Sequence, residues 1–225
     1  MSGAHYLGQK TNMGLFQTII AAMPPHDTYI ELFLGSGAIM RRKPPAETSF
    51  GVDIDRRTIN DFDISSCPHA LLICSDAVNY LTRFDFASAG RVLIYADPPY
   101  VQSTRNMSHR YRHEMDDAAH IRLLEALRGV PASVMLSGYP NGLYDEFLGD
   151  WRTMAVQVMT RGGPRTEKLW MNFEDKAAHW ATYAGTNFTD RQRIKRKAAR
   201  WKRMYDALPP GERLAILAQL LAPEA

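Results

Sequence analysis

The chain has 225 residues, of which 45% are hydrophobic and 23% charged, with no long polar tract: enough for one full-sized core and a small appendage. A formal net charge of +3 and a sequence pI near 8.9 leave room for an anionic partner without demanding one. The longest apolar runs, around Ile19 and Leu93, fall well short of the roughly 20 residues that cross a bilayer, so no membrane span is expected. In chain order, a helical period over 14–23 comes first, followed by short apolar runs at 28–33, 49–53, 70–74, 92–97 and 133–136 that read as strands. Helical periods at 56–62, 78–84 and 116–127 alternate with them, Asp116 being a candidate N-cap, which is the pattern of a parallel sheet covered on both faces. Two further strands at 152–159 and 166–173, joined by a Gly-Gly-Pro turn at 162–164, predict an antiparallel hairpin on the sheet edge. A first domain over 1–173 is then followed by a basic helical extension over 174–225. In its first helix Ile194, Ala198, Trp201, Tyr205 and Leu208 form an apolar stripe expected to pack on the body or on a final helix over 212–221.

Three features carry chemistry. The loop after the first strand reads Ile30-Glu31-Leu32-Phe33-Leu34-Gly35-Ser36-Gly37-Ala38; its glycines let the backbone turn sharply beside a ligand and open a helix, or form an ordinary strand-to-helix turn. Asp53 ends the second strand, where an acid can bind both hydroxyls of a ribose, and Asp76 follows the third strand, where it can accept from an adenine amine; either can also be a loop carboxylate or helix cap. The strongest feature is Asp97-Pro98-Pro99-Tyr100 after a very apolar strand. An aromatic amine has its lone pair delocalised into the ring. Attack on a methyl sulfonium therefore needs acceptors that hold the amine hydrogens, which the Asp97 carboxylate and the Pro98 carbonyl supply on a stiff turn, while Tyr100 offers a face for a base.

These motifs, in this order, resemble those of the Dam-like DNA adenine methyltransferases, with Tyr6-Leu7-Gly8-Gln9-Lys10 resembling their N-terminal cofactor segment. The resemblance covers roughly residues 5–173. It implies a Rossmann-like class I methyltransferase fold: a seven-stranded, mostly parallel sheet with an antiparallel edge hairpin and, outside the resemblance, a helical C-terminal appendage. It also implies S-adenosylmethionine as cofactor, with Tyr6 and Lys10 flanking it, Glu31, Phe33, Gly35 and Gly37 around its methionine end, Asp53 at its ribose and Asp76 at its adenine. Asp97, Pro98, Pro99 and Tyr100 then face an adenine flipped out of DNA. Asp76 and Asp97 are only 21 positions apart, too few for the recognition domain usually inserted there, so a compact phage-type enzyme is implied and no target sequence is.

Contacts to DNA are expected from two basic segments. Arg105, Arg110, Tyr111 and Arg112 follow the catalytic turn, and eight Lys or Arg between positions 191 and 203, Lys195 and Arg196 among them, cover the first C-terminal helix; each segment can equally be a solvated surface. The segment 137–141 either lines the target-base side or only shapes a turn. The seven histidines lack ligand spacing, and Cys67 and Cys74 lack that of a metal knuckle, so no metal is expected. With no secretory leader and no Arg in the first nine residues, a cytoplasmic monomer or weak dimer is expected. An RNA base amino-methyltransferase and a non-catalytic DNA-binding regulator are the alternatives. A nicotinamide dehydrogenase is set aside because Met40 stands where a third glycine would fall.

Overall fold

The computed structural model describes residues 15–101, 112–160, 163–174, 185 and 187–220. Seven strands, β1 (Thr28–Leu32), β2 (Thr48–Asp53), β3 (Ala70–Cys74), β4 (Val92–Ala96), β5 (Ser133–Gly138), β6 (Arg152–Thr160) and β7 (Gly163–Met171), form one sheet in the order β3-β2-β1-β4-β5-β7-β6. The first five pair in parallel, and β7 runs antiparallel to both β5 and β6, as the sequence pattern predicts. Helices α1 (Leu15–Ala21), α2 (Arg56–Asn60), α3 (Ala77–Leu81), α4 (Asp117–Gly129) and α5 (Gly142–Phe147) connect or cover the strands.

The two faces of the sheet differ in chemistry. Alternation puts Ile30, Leu32, Ile94, Val134 and Leu136 on one face, where they join Leu81 of α3, Leu123, Leu124 and Leu127 of α4 and Trp170 of β7 in one core cluster. Each such side chain contributes about 1.5–3 kcal/mol when fully buried. The register places Glu31, Tyr95, Ser137 and Glu167 on the opposite face, all buried, so a band of polar groups crosses the middle strands. Buried polar groups persist only with partners. Those partners form the site.

Each helix that follows a strand starts on an Asx cap that takes an otherwise unpaired amide: Asp55 accepts from Arg57 N, Asp76 from Asn79 N, Asp116 from Ala119 N and Asn141 from Tyr144 N. The expected helix after the glycine loop does not form. Residues 38–42 make only successive turns, with Arg41 N bonded to Gly37 O and Lys43 N to Ile39 O, because Pro44 and Pro45 follow and bar continuation. The hairpin is also longer than predicted. Gly163 and Pro164 belong to β7, opposite Thr160 and Met159, rather than to the turn. Since β5 pairs with β7 only over Lys168 to Met171, Pro164 lies where one side of the strand has no β5 partner, and its missing donor costs little.

The chain divides into two compact units, residues 1–180 and 181–225. The second holds α6 (Phe188–Asp206), capped by Asn187, and α7 (Pro210–Leu220). The α6 stripe is only partly covered: Tyr205 and Leu208 are half-buried and the Tyr205 hydroxyl donates to the Arg213 carbonyl, but Trp201 remains 57% exposed. The final helix begins at Pro210, earlier than the periodicity suggests, because proline suits a first helical position. Among the described residues no helix is long and apolar enough to cross a membrane.

Candidate active site

A cleft of about 720 Å³ opens along the C-terminal ends of β1, β2, β3 and β4, the position at which open α/β sheets bind ligands. Of the residues assigned to the cofactor, Glu31, Phe33, Gly35, Asp53 and Asp76 line it; of those assigned to catalysis, Asp97, Pro98, Pro99 and Tyr100 do. Gly37 does not line it and acts only through the bend of the loop. Tyr6, Lys10, Arg105, Arg110 and Tyr111 lie outside the described residues.

The half of the cleft at β1 and β2 is shaped by its backbone. Phe33, Gly35 and Gly37 have φ of 58°, 49° and 61°, the left-handed region that costs a side-chain-bearing residue such as Phe33 about 1 kcal/mol or more. A Cβ on Gly37 would collide with the Phe62 ring. Asp53 fastens this bend to β2: its Oδ2 accepts from Gly35 N at 3.0 Å and its Oδ1 from Asp55 N at 2.8 Å. Burial pushes the Asp53 carboxyl up from its usual range, and the two amides oppose the shift by favouring the ionised form. Asp76 caps α3 at 2.9 Å, one of its two expected roles, and also lines the cleft. Between the two strand ends Ile54, although 48% exposed, turns an apolar surface onto the cleft wall.

Glu31 is 3% exposed and accepts on Oε2 from Tyr29 Oη at 2.9 Å and Met40 N at 2.7 Å. Burial pushes its carboxyl up to about 8, with the Asp97 charge adding to the rise and Lys43 opposing it. Lys43, itself buried with Nζ 4.4 Å from the Tyr29 ring centre, is pushed down to about 8 by the same desolvation. The amide of Met40, in the turns after the glycine loop, is thus taken up by Glu31.

The half at β4, β5 and β7 is shaped by side chains. Asp97 Oδ1 accepts from Ser137 Oγ at 2.9 Å, and Ser137 Oγ lies 3.0 Å from the Tyr95 hydroxyl. Because Ser137 gives its one proton to the bond with Asp97, Tyr95 donates to Ser137, and a directed chain of hydrogen bonds ends on the carboxylate. Tyr100 stacks on Tyr139 with ring centres 4.1 Å apart and planes 22° from parallel, and the Arg165 guanidinium lies 5.5 Å from the Tyr139 ring centre. The Tyr100 hydroxyl meets Glu167 of β7 at 3.3 Å. One face of Tyr100, expected to be open to a base, is therefore occupied by Tyr139.

In the sequence Ser137 and Tyr139 belong to a segment that can equally be a plain turn, and Ile54, Asp55 and Glu167 are not marked at all. An acid two residues past the β2 acid is a weak signal for Asp55; nothing local marks Glu167, which reaches the site through strand register. Arg112 pairs with Asp55 at 2.7 Å and lines the cleft. Lys195 and Arg196 are exposed on α6. Among the described residues no group of three or more His, Cys, Asp or Glu is arranged to hold a metal.

Neither a protein-family model nor a curated protein sequence matches this chain. Solved structures do resemble it. The 23S rRNA methyltransferase ErmE is 13% identical over 76% of this chain and 71% of its own, with a TM-score of 0.49. An rRNA methylase from Streptococcus thermophilus is 10% identical over 69% and 92%, with a TM-score of 0.43. A dimethyladenosine transferase from Plasmodium falciparum is 17% identical over 69% and 60%, with a TM-score of 0.42. The strand order β3-β2-β1-β4-β5-β7-β6, five parallel strands with an antiparallel edge hairpin, itself makes this an open Rossmann-like α/β fold.

Proposed function

We propose that the protein transfers a methyl group from S-adenosylmethionine to the exocyclic amine of adenine in DNA, acting on a base flipped out of the duplex. The donor set of the cleft fits the cofactor: a carboxylate at the end of β2 for ribose hydroxyls, a second at the end of β3 for an adenine amine, and the apolar Ile54 between them for a purine face. Bound there, the cofactor supplies an electrophilic methyl. What the chain supplies is the amine's environment. The observation that carries this reading is the fixed Asp97 carboxylate, held by Ser137 and Tyr95 beside the Pro98 turn and the stacked Tyr100. Asp97 accepts a hydrogen bond from one amine hydrogen and the Pro98 carbonyl from the other, which favours a pyramidal nitrogen with an available lone pair, and Asp97 draws away the proton lost when the N–C bond forms. The surrounding hydrogen bonds prevent the carboxylate from reorienting during the step.

The exposed cations of α6, Lys195 and Arg196 among them, suit phosphate contacts that position the nucleic acid without reading its sequence. The test is release of S-adenosylhomocysteine on mixing S-adenosylmethionine with duplex DNA or with RNA. Release with DNA, abolished by Asp97→Ala, supports the reading. Release with RNA alone replaces the substrate, and DNA binding without release from either replaces the enzyme with a regulator.

A further inference from the structure

We propose that Arg112 and Asp55 belong to the cofactor pocket, where their ion pair forms the wall over the nucleoside end and holds the cofactor in place, and that Arg112 is not a contact to nucleic acid. The inference rests on the cofactor reading above and concerns two residues to which that reading gives no role in holding the cofactor. Four observations meet here. Arg112 Nη1 lies 2.7 Å from Asp55 Oδ2; the Asp55 side chain is 13% exposed and that of Arg112 53%, so the pair stands at the rim of the pocket, with the arginine half in solvent. Residues 112–115 all line the cleft together with Asp53, Ile54 and Asp55, and the Arg112–Asp55 pair ties this segment to the loop that follows β2. Asp53 and Asp55 are two acids on one short stretch, and their like charges cost energy unless a cation stands opposite; Arg112 supplies it at Asp55. Ile54, between the two acids, turns its apolar surface to the same space.

A ligand filling that space meets an apolar wall flanked by carboxylates, with a guanidinium at its rim. This is the environment of a purine nucleoside with its ribose hydroxyls turned to the acids, and losing the rim contact should speed the nucleoside's departure. The ion pair is partly solvated, so its loss has a moderate effect: S-adenosylhomocysteine should dissociate about three- to tenfold faster.

The test uses the full-length protein without nucleic acid, measuring S-adenosylhomocysteine binding by calorimetry and its dissociation by stopped flow. Arg112→Ala and Asp55→Asn should each weaken binding by that factor, whereas Arg112→Lys should retain most of it. Asn at position 55 still caps α2, where Asp55 accepts from Arg57 N at 2.9 Å, so a folding defect is avoided. In parallel, the affinity of Arg112→Ala for a DNA duplex and the salt slope of that affinity should equal those of the parent protein. Unchanged S-adenosylhomocysteine binding in both variants overturns the proposal, as does a shallower salt slope with intact cofactor binding, which would return Arg112 to the nucleic acid. If the parent protein binds no S-adenosylhomocysteine, the cofactor reading falls and takes this inference with it; if the parent binds and the variants match it, this inference alone falls.

Discussion

The two halves of the cleft are built by different means. On the cofactor side the shape comes from backbone: three residues at positive φ between β1 and the turns that follow, tied to β2 by one carboxylate. On the target side it comes from side chains brought together across the sheet, with Ser137 on Asp97 and Glu167 on Tyr100 over separations of 40 and 67 residues. A backbone cradle is local and tolerates changes in its side chains but not in its glycines. A side-chain network tolerates backbone variation but loses function when one hydrogen-bonding atom is removed. The halves should therefore fail differently under mutation.

The largest expected effect is on the target side. Asp97→Ala removes the acceptor on which the amine chemistry depends, so kcat should fall by about a hundredfold to a thousandfold while S-adenosylhomocysteine binding and the melting temperature stay close to the parent values. Ser137→Ala leaves the carboxylate in place but frees its orientation; a charge-assisted hydrogen bond contributes about 1.5–3 kcal/mol, so kcat should fall about tenfold to a hundredfold with little change in KM. If Ser137→Ala instead unfolds the protein without a selective kcat loss, the network is structural and the contrast between the halves disappears.

On the cofactor side the signature is stability. Gly37→Ala introduces a side chain at φ 61° and against the Phe62 ring, so urea denaturation should show a loss of about 1–3 kcal/mol, accompanied by weaker cofactor binding. Glu31 adds a pH signature. Its folded carboxyl titrates near 8 against an ordinary value of 4.5, so the folded state holds the proton more tightly. That stabilising contribution is complete below about 4.5 and is lost as pH rises through about 8. Glu31→Gln keeps a neutral side chain, so the parent-minus-variant difference in unfolding free energy should decline over this window; a flat difference would mean that Glu31 is ionised throughout. The smallest effect belongs to α6. Replacing Lys195 and Arg196 with Ala should weaken binding to all duplexes alike and reduce the salt slope by up to about 2, and a sequence-selective loss would show that α6 reads bases.

The same contrast separates what is legible in the sequence from what is not. The parallel core and the edge hairpin follow from short apolar runs, and the bend after β1 and the acids that line the cleft from Gly35, Gly37 and successive strand ends, because all of these are local patterns. Asp97 is legible because its motif is contiguous. Glu167 is not, since only the antiparallel register of β7 brings it to Tyr100, and the ion pair of Arg112 is not, since its partner Asp55 lies far back in the chain. The helix expected after the glycine loop is absent for a reason that the sequence does contain: Pro44 and Pro45 stop it after little more than one turn.

If the two halves serve one reaction, a methyl group carried in the first must appear on an amine held by the second. The decisive measurement is a single-turnover reaction with methyl-labelled S-adenosylmethionine bound in advance, chased with duplex DNA and followed by digestion to nucleosides. The label should be recovered in N6-methyldeoxyadenosine, with none when Asp97→Ala replaces the parent protein. Label in 5-methylcytosine, or none in DNA while S-adenosylhomocysteine binds normally, would contradict it.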